Sequence, residues 1–288
     1  MPLDLERLLR YPIPDVRHHL DRHSTALYAL SVGLGIDPLD RQSLDFVDFN
    51  RPGFQALPLM AVVAAYPGFW LGKPDTGVDA TRLVLGEQRV EWHRQLPTEG
   101  EVIGRTRVTG IVDKGPGKGA LLYSDKELID PVRDELIAVT SSTTFLRGDG
   151  GCGTLSGPVP TAHVLPEREP DRSVDLATRP EQALYYRLNG DDNPLHADPD
   201  FALKGGFQRP ILHGLCTLGV AFHALLSELA SYQSARIRSL TVRFSAPVFP
   251  GETIRTEMWN DGSFRARAVE RDVVVLSNGH VGLASQSY

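Results

Sequence analysis

Two long uncharged runs stand out in a chain whose polarity otherwise alternates. Residues 54–71 carry no Asp, Glu, Lys or Arg, and in residues 211–230 the only one is Glu228. A helix apolar on all sides is one enclosed by other protein, so each run predicts a long buried helix. A membrane span competes for residues 54–71, but Pro58, Pro67 and Gly68 interrupt a stretch of marginal length. After each run the pattern changes to the alternation of half-buried strands. The first half predicts strands at Val102–Val112, Ala120–Leu128 and Ile137–Arg147. In the second half Leu240, Val242 and Phe244 alternate with Thr241, Arg243 and Ser245, and Thr253–Trp259, Phe264–Glu270 and Val273–Ser277 follow. Asn278-Gly279 is the strongest hairpin signal in the chain. Each half therefore reads as an apolar helix followed by an antiparallel meander. A twisted sheet wrapped around one helix satisfies both patterns, an α+β layer arrangement.

The two halves echo one another. Gly53-Phe54-Gln55 opens the first apolar run and Gly206-Phe207-Gln208 the second, an offset of 153. RVEWHRQLPTEGEVIGRTRV in the first half is answered by TVRFSAPVFPGETIRTEMW in the second, with Gly100 and Gly251 offset by 151. Between the halves, Gly148–Pro180 holds five Gly and five Pro, a composition that suits a crossing segment. The expected division is residues 1–147 as a first module without catalytic groups, 148–180 as linker, and 181–288 as a second, catalytic module.

Length and charge change the picture little. A chain of 288 residues is long enough for two domains. Its net charge of −6 argues against nonspecific nucleic-acid binding, which needs a basic field. Cys152 and Cys216 fit neither a disulfide framework nor a CxxC pair and read as reduced thiols. The first twenty residues have no apolar secretory core, so the expected location is cytoplasmic. Gly148–Gly153 spells GxGxxG, but TLSGPVP follows where a dinucleotide site needs a helix. Asp113–Gly119 lies between two strands and reads as a hairpin loop.

The chemistry concentrates in residues 185–214, YYRLNGDDNPLHADPDFALKGGFQRPILHG. Gly190 permits a tight turn, Asn193 suits a helix N-cap and Pro194 the first helical position. A short helix starting there puts His196 in its first turn and Asp191 in the loop before it. Both side chains can then meet one water, a general acid/base arrangement. The competing reading makes Asp191 and Asn193 turn residues and His196 their local partner. Asp192, His196 and Asp198 match no known metal-ligand spacing.

GDDNPLHADPDFA, with GFQRPILHG downstream, closely resembles the motif of type 2 enoyl-CoA hydratases and MaoC-like dehydratases. More weakly, YALSVGLG, GFQALP, LGEQ, DKGPGKG and FLRGDGG resemble the noncatalytic first half of two-module members. One departure is Leu85, where many relatives have His. The resemblance implies a double hot-dog fold and reversible hydration of trans-2-enoyl-CoA to (3R)-3-hydroxyacyl-CoA. It makes Asp191 and His196 the catalytic pair, Asn193 a holder of the water and Gly214 the N–H donor to the thioester carbonyl. Tyr28 and Gly33 echo Tyr185 and Gly190, yet no His occurs from Ser24 to Trp92 until His93. One active site per chain follows. No metal or redox cofactor is needed, because hydration oxidises and reduces nothing. The expected partners are an acyl-CoA thioester and a second copy in a homodimer, with no nucleic acid and no membrane. A hot-dog thioesterase and a noncatalytic acyl-CoA-binding module are the rival readings.

Overall fold

A computed structural model describes residues 3–155 and 159–284. The first half runs α1 (Leu5–Leu9), β1 (Val16–Leu20), α2 (Arg22–Ser31), β2 (Leu83–Trp92), β3 (Gly100–Asp113), β4 (Ala120–Asp130) and β5 (Glu135–Leu146). The second runs β6 (Arg172–Ala177), α3 (Gln182–Tyr186), α4 (Pro199–Lys204), α5 (Gly214–Ala230), β7 (Ile237–Phe244), β8 (Thr253–Met258), β9 (Ser263–Ala268) and β10 (Val273–Leu283). All ten strands form one antiparallel sheet, in the order β1-β3-β4-β5-β2-β7-β10-β9-β8-β6. The order reads the same outward from the central β2–β7 pair: β5 and β10 come next, then β4 and β9, β3 and β8, β1 and β6. The molecule is thus a double hot-dog, two related half-sheets joined at a seam. There Glu87 to Glu91 pair with Arg243 to Ser239, and the Arg243 guanidinium donates to Glu87 at 2.7 and 3.0 Å.

The second apolar run is the long helix its pattern predicts, α5, beginning at Gly214. Its residues from Cys216 to Leu226 are all buried. Leu218, Phe222, Leu225 and Leu226 are each worth about 1.5–3 kcal/mol against exposure. Gly219 lets α5 approach the end of α2, because a Cβ there would stand 2.3 Å from Val32 Cγ1. The core is continuous across the halves, with Trp92 and Phe222 ring centroids 5.9 Å apart.

The first apolar run is buried but is no helix. It makes a 3-10 turn at Pro58–Val62, reaches φ +50° at Ala65, and turns again at Trp70–Gly72. Pro67 disfavours helical geometry at Tyr66, and Gly68 is left-handed at φ +74°. The backbone groups freed are met from the sheet. Lys126 Nζ donates to the carbonyls of Ala61, Val62 and Ala64 at 2.9, 3.2 and 2.5 Å, and Ala65 N–H donates to His18 Nδ1 at 2.9 Å. These three acceptors use every proton of an ammonium, while burial pushes the Lys126 pKa down to about 7.

Two further expectations change. Asn278-Gly279 makes no hairpin but a bulge within β10, with Asn278 at φ +54° and register shifts against both neighbouring strands. A left-handed Asn serves a bulge as well as a turn, and Asn278 Nδ2 is held by the His163 carbonyl at 2.7 Å. The Gly148–Pro180 segment contains a strand, β6, the counterpart of β1; residues 156–158 of it lie outside the described residues. At its start, Asp113 accepts from the amides of Gly115, Gly151 and Gly153 at 2.8, 2.9 and 2.9 Å. The GxGxxG amides Gly151 and Gly153 thus serve a carboxylate of the chain itself. Among the described residues no helix is long and apolar enough to cross a membrane.

Candidate active site

The site is assembled where α3, the loop after it and the start of α5 meet. Gly190 closes the turn after α3 at φ +104°, with its N–H on the Arg187 carbonyl at 3.0 Å. Asp191 follows directly. Asn193 caps a 3-10 turn at Pro194–His196, where the sequence predicts a short helix, and its Oδ1 accepts from Leu195 N–H at 3.1 Å. The Asn193 carboxamide oxygen keeps a second lone pair, and that and its NH2 group are able to meet a water. Asp198 caps α4 by accepting from the amides of Asp200 and Phe201, and Asp192 is exposed.

His196 Nδ1 lies 2.8 Å from the Ile211 carbonyl. A carbonyl only accepts, so the proton sits on Nδ1 and Nε2 keeps a free lone pair. Burial lowers the His196 pKa, against the opposing pull of the Ile211 bond and the Asp191 charge. The ring is therefore neutral at neutral pH. Asp191 Oδ1 accepts from Asn193 N–H at 3.4 Å. Asp191 and His196, the pair singled out in the sequence, do converge.

A third group joins them that the sequence reading passed over. His213, the residue before α5, stacks on His196 with centroids 3.7 Å apart and planes 26° from parallel. One ligating-type atom from each of Asp191, His196 and His213 lies within 4.8 Å of the others. Its only signal in the sequence is the His-Gly dipeptide beside the Gly214 already picked out. Gly214 is the first residue of α5. The helical ladder begins with Thr217 N–H to the His213 carbonyl at 3.0 Å, so the Gly214 amide has no acceptor inside the helix. The positive end of this 17-residue helix begins directly after His213 of the cluster.

Behind the cluster lies a polar support shared between the halves. Gln182 Nε2 donates to the Ser31 carbonyl at 3.0 Å, and Asn189 Nδ2 to Ser31 Oγ at 2.9 Å. Tyr28 and Tyr186 are wholly buried with rings 6.2 Å apart, whereas Tyr185, which echoes Tyr28 in sequence, is half exposed. Tyr66 of the first half also senses the site: partial burial, then the Asp191 charge, pushes its hydroxyl up to about 12. Counted from Gly33 and Gly190, the first-half positions matching Asp191 and His196 are Leu34 and Leu39.

Two hot-dog modules, with one such cluster of Asp and His among the described residues, define a class: a two-module hot-dog protein. Comparison with known proteins narrows it. Residues 162–281 match the family described as MaoC like domain, and residues 18–148 match the MFE-2 hydratase 2 N-terminal domain. The 3-hydroxyacyl-thioester dehydratase Y of Mycobacterium tuberculosis is 43% identical over 258 residues, covering 88% of this chain and 86% of that protein. The peroxisomal enoyl-CoA hydratase 2 of Arabidopsis thaliana is 35% identical over 300 residues, covering 97% and 95%. The crystal structure of a MaoC-like dehydratase from Phytophthora capsici superposes with a TM-score of 0.86 at 33% identity, covering 98% and 99% of the two chains. The chain belongs to the MaoC-like dehydratase and hydratase 2 family, in its two-module form, and is a hydro-lyase.

Proposed function

We propose that this hydro-lyase adds water reversibly across the double bond of a trans-2-enoyl-CoA to give a (3R)-3-hydroxyacyl-CoA, with Asp191 and His196 as its catalytic pair. The observation that carries the assignment of roles is the His196 Nδ1–H bond to the Ile211 carbonyl, which frees Nε2 as a base. A water held between Nε2 and the Asp191 carboxylate, steadied by the Asn193 carboxamide, loses a proton to His196 as its oxygen bonds to C3. The double-bond electrons move toward the thioester oxygen, which the Gly214 N–H at the start of α5 stabilises. Losing such a donor typically costs about 100- to 1000-fold in rate. The pair then returns a proton to C2, so that OH and H are added and nothing is oxidised.

The division into residues 1–147, 148–180 and 181–288 is carried into this reading with one change. Strand β6 goes with the second module, whose β8 it pairs. The first module gives room for the acyl chain where its helix is missing. The proposed setting is the cytoplasm, although the Arabidopsis relative is named peroxisomal. The proposed assembly is a homodimer, for which the exposed Leu184 of α3 and Leu203 of α4 offer apolar surface.

The test is one assay. Purified protein is mixed with crotonyl-CoA while enoyl absorbance and free thiol are followed together, with and without a chelator. Hydration predicts loss of absorbance, no thiol, and no effect of the chelator. Saturated acyl-CoA stays intact. Thiol released from saturated acyl-CoA at a rate rivalling enoyl loss makes the chain a thioesterase instead.

A further inference from the structure

His213 lies almost wholly inside the protein, 1% exposed, between two rings. Tyr186 packs against it at a tilt of 48° with centroids 4.9 Å apart, and His196 stacks on it at 3.7 Å. Its Nε2 lies 3.1 Å from the backbone carbonyl of Asp191. A carbonyl only accepts, so Nε2 carries the proton. Its Nδ1 is then a bare lone pair, buried with no partner among the described residues. An unpaired buried acceptor costs about 1–3 kcal/mol. A Phe or Leu would fill this place without that cost, so packing alone does not account for an imidazole.

We propose that His213 is a positioning residue: its flat face sets the ring of His196, and its Nε2–H sets the backbone of Asp191, so that one side chain fixes both members of the pair relative to each other. Phe offers the face and no donor; Gln offers the donor and no face. The two stacked imidazoles hold opposite tautomers, Nδ1–H in His196 and Nε2–H in His213. Each is set by a different backbone carbonyl, one on the loop before the cluster and one on the segment leading into α5. Neutrality of His213 is part of the arrangement. A positive charge on it would oppose proton uptake by the neighbouring His196, and burial, followed by the His196 charge, pushes the His213 pKa down to about 3. The groups facing it are the Asp191 carboxylate, the Tyr186 hydroxyl and, at longer range, Arg187, whose charge acts in the same direction.

The inference rests on the proposed roles of Asp191 and His196, so its test has an arm that needs no activity. In protein labelled with 15N at histidine, at neutral pH, His213 is expected as the neutral Nε2–H tautomer and His196 as the neutral Nδ1–H tautomer. In His213→Gln, which loses the face, the His196 signals are expected to become a tautomer mixture, whereas in His213→Phe, which keeps it, His196 should stay in the Nδ1–H form. In the hydration assay each variant should lose about 10- to 100-fold in kcat, the scale of a misplacement near 1 Å, with KM within about threefold. His213→Ala, which removes face and donor together, should fall below both. A wild-type His213 that is protonated or carries its proton on Nδ1 overturns the proposal. So does an unchanged His196 tautomer in His213→Gln, or a kcat within about twofold of wild type in both single-function variants. If one of them does not fold, the other and the wild-type spectrum still decide. A wild type that fails to hydrate crotonyl-CoA defeats the catalytic reading, while the spectra continue to judge the positioning claim.

Discussion

In His196 the Nδ1 proton is held by the Ile211 carbonyl, and everything the side chain does for a water passes through Nε2. Asp191→Asn and His196→Ala should each lower kcat by roughly 100-fold or more, the usual scale for acid–base groups. The double variant should be little worse than either, because the two act on one water; steady-state kinetics of the three proteins checks this, and near-normal turnover in both singles refutes it. Burial also gives the pair a pH signature. A base must be unprotonated, and the His196 pKa is pushed below the ordinary 6.5. Activity should therefore persist as pH falls through 6.5 and be lost only at lower pH; an acidic limb of kcat/KM centred above 6.5 contradicts the assignment. The placement of Asp191, Asn193 and His196 on one loop was legible because the seven residues from Gly190 to His196 hold the turn Gly, the N-cap and the Pro that specify it. His213 was not, because it reaches the site from another segment seventeen residues on, and no local spacing rule connects a loop to the helix that faces it.

At the level of elements, the strands and α5 followed from periodicity and length. The first apolar run misled for a physical reason. Absence of charge reports burial, and both a helix and an irregular buried segment satisfy it; only the backbone's hydrogen-bond partners tell them apart. Here those partners include Lys126, remote in sequence, so the signal was spread over 65 residues. Lys126→Met should leave three buried carbonyls without a donor and destabilise the protein by about 2–4 kcal/mol, read as a fall in Tm and in the denaturation midpoint. A variant as stable as wild type shows that the segment finds other partners. Strands β1 and β6 escaped notice because edge strands carry charge, as Arg17 and Asp175 do, and lose the clean alternation of central strands.

Across the whole molecule the repeat in the sequence becomes the symmetry of the sheet. The halves are also locked by side chains: Tyr232 after α5 donates to Asp40 of the first half at 2.7 Å and accepts from His223 Nε2 at 3.1 Å. Ser231 and Tyr232 are both left-handed, at φ +51° and +58°, a strained pair that this bonding holds in place. Residues 160–288 expressed alone would bare the β7 edge from Ser239 to Arg243 together with the apolar flank of α5. That fragment should aggregate or fail to give a cooperative melt; a monodisperse, cooperatively folding monomer counts against an obligatory seam.

The crossing between β5 and β6 has a further effect, on mass action. Two separate chains sharing a seam like β2–β7 would part on dilution, and with them the support that Ser31 gives to the loop carrying Asp191. A covalent connection instead presents each half to the other at an effective concentration in roughly the millimolar range, whatever the amount of protein outside. The first half, freed of chemistry of its own, is thereby a permanent neighbour whose surface is shaped for one partner alone. Its residues at the seam and along α2 can drift away from their counterparts without having to fit a copy of themselves.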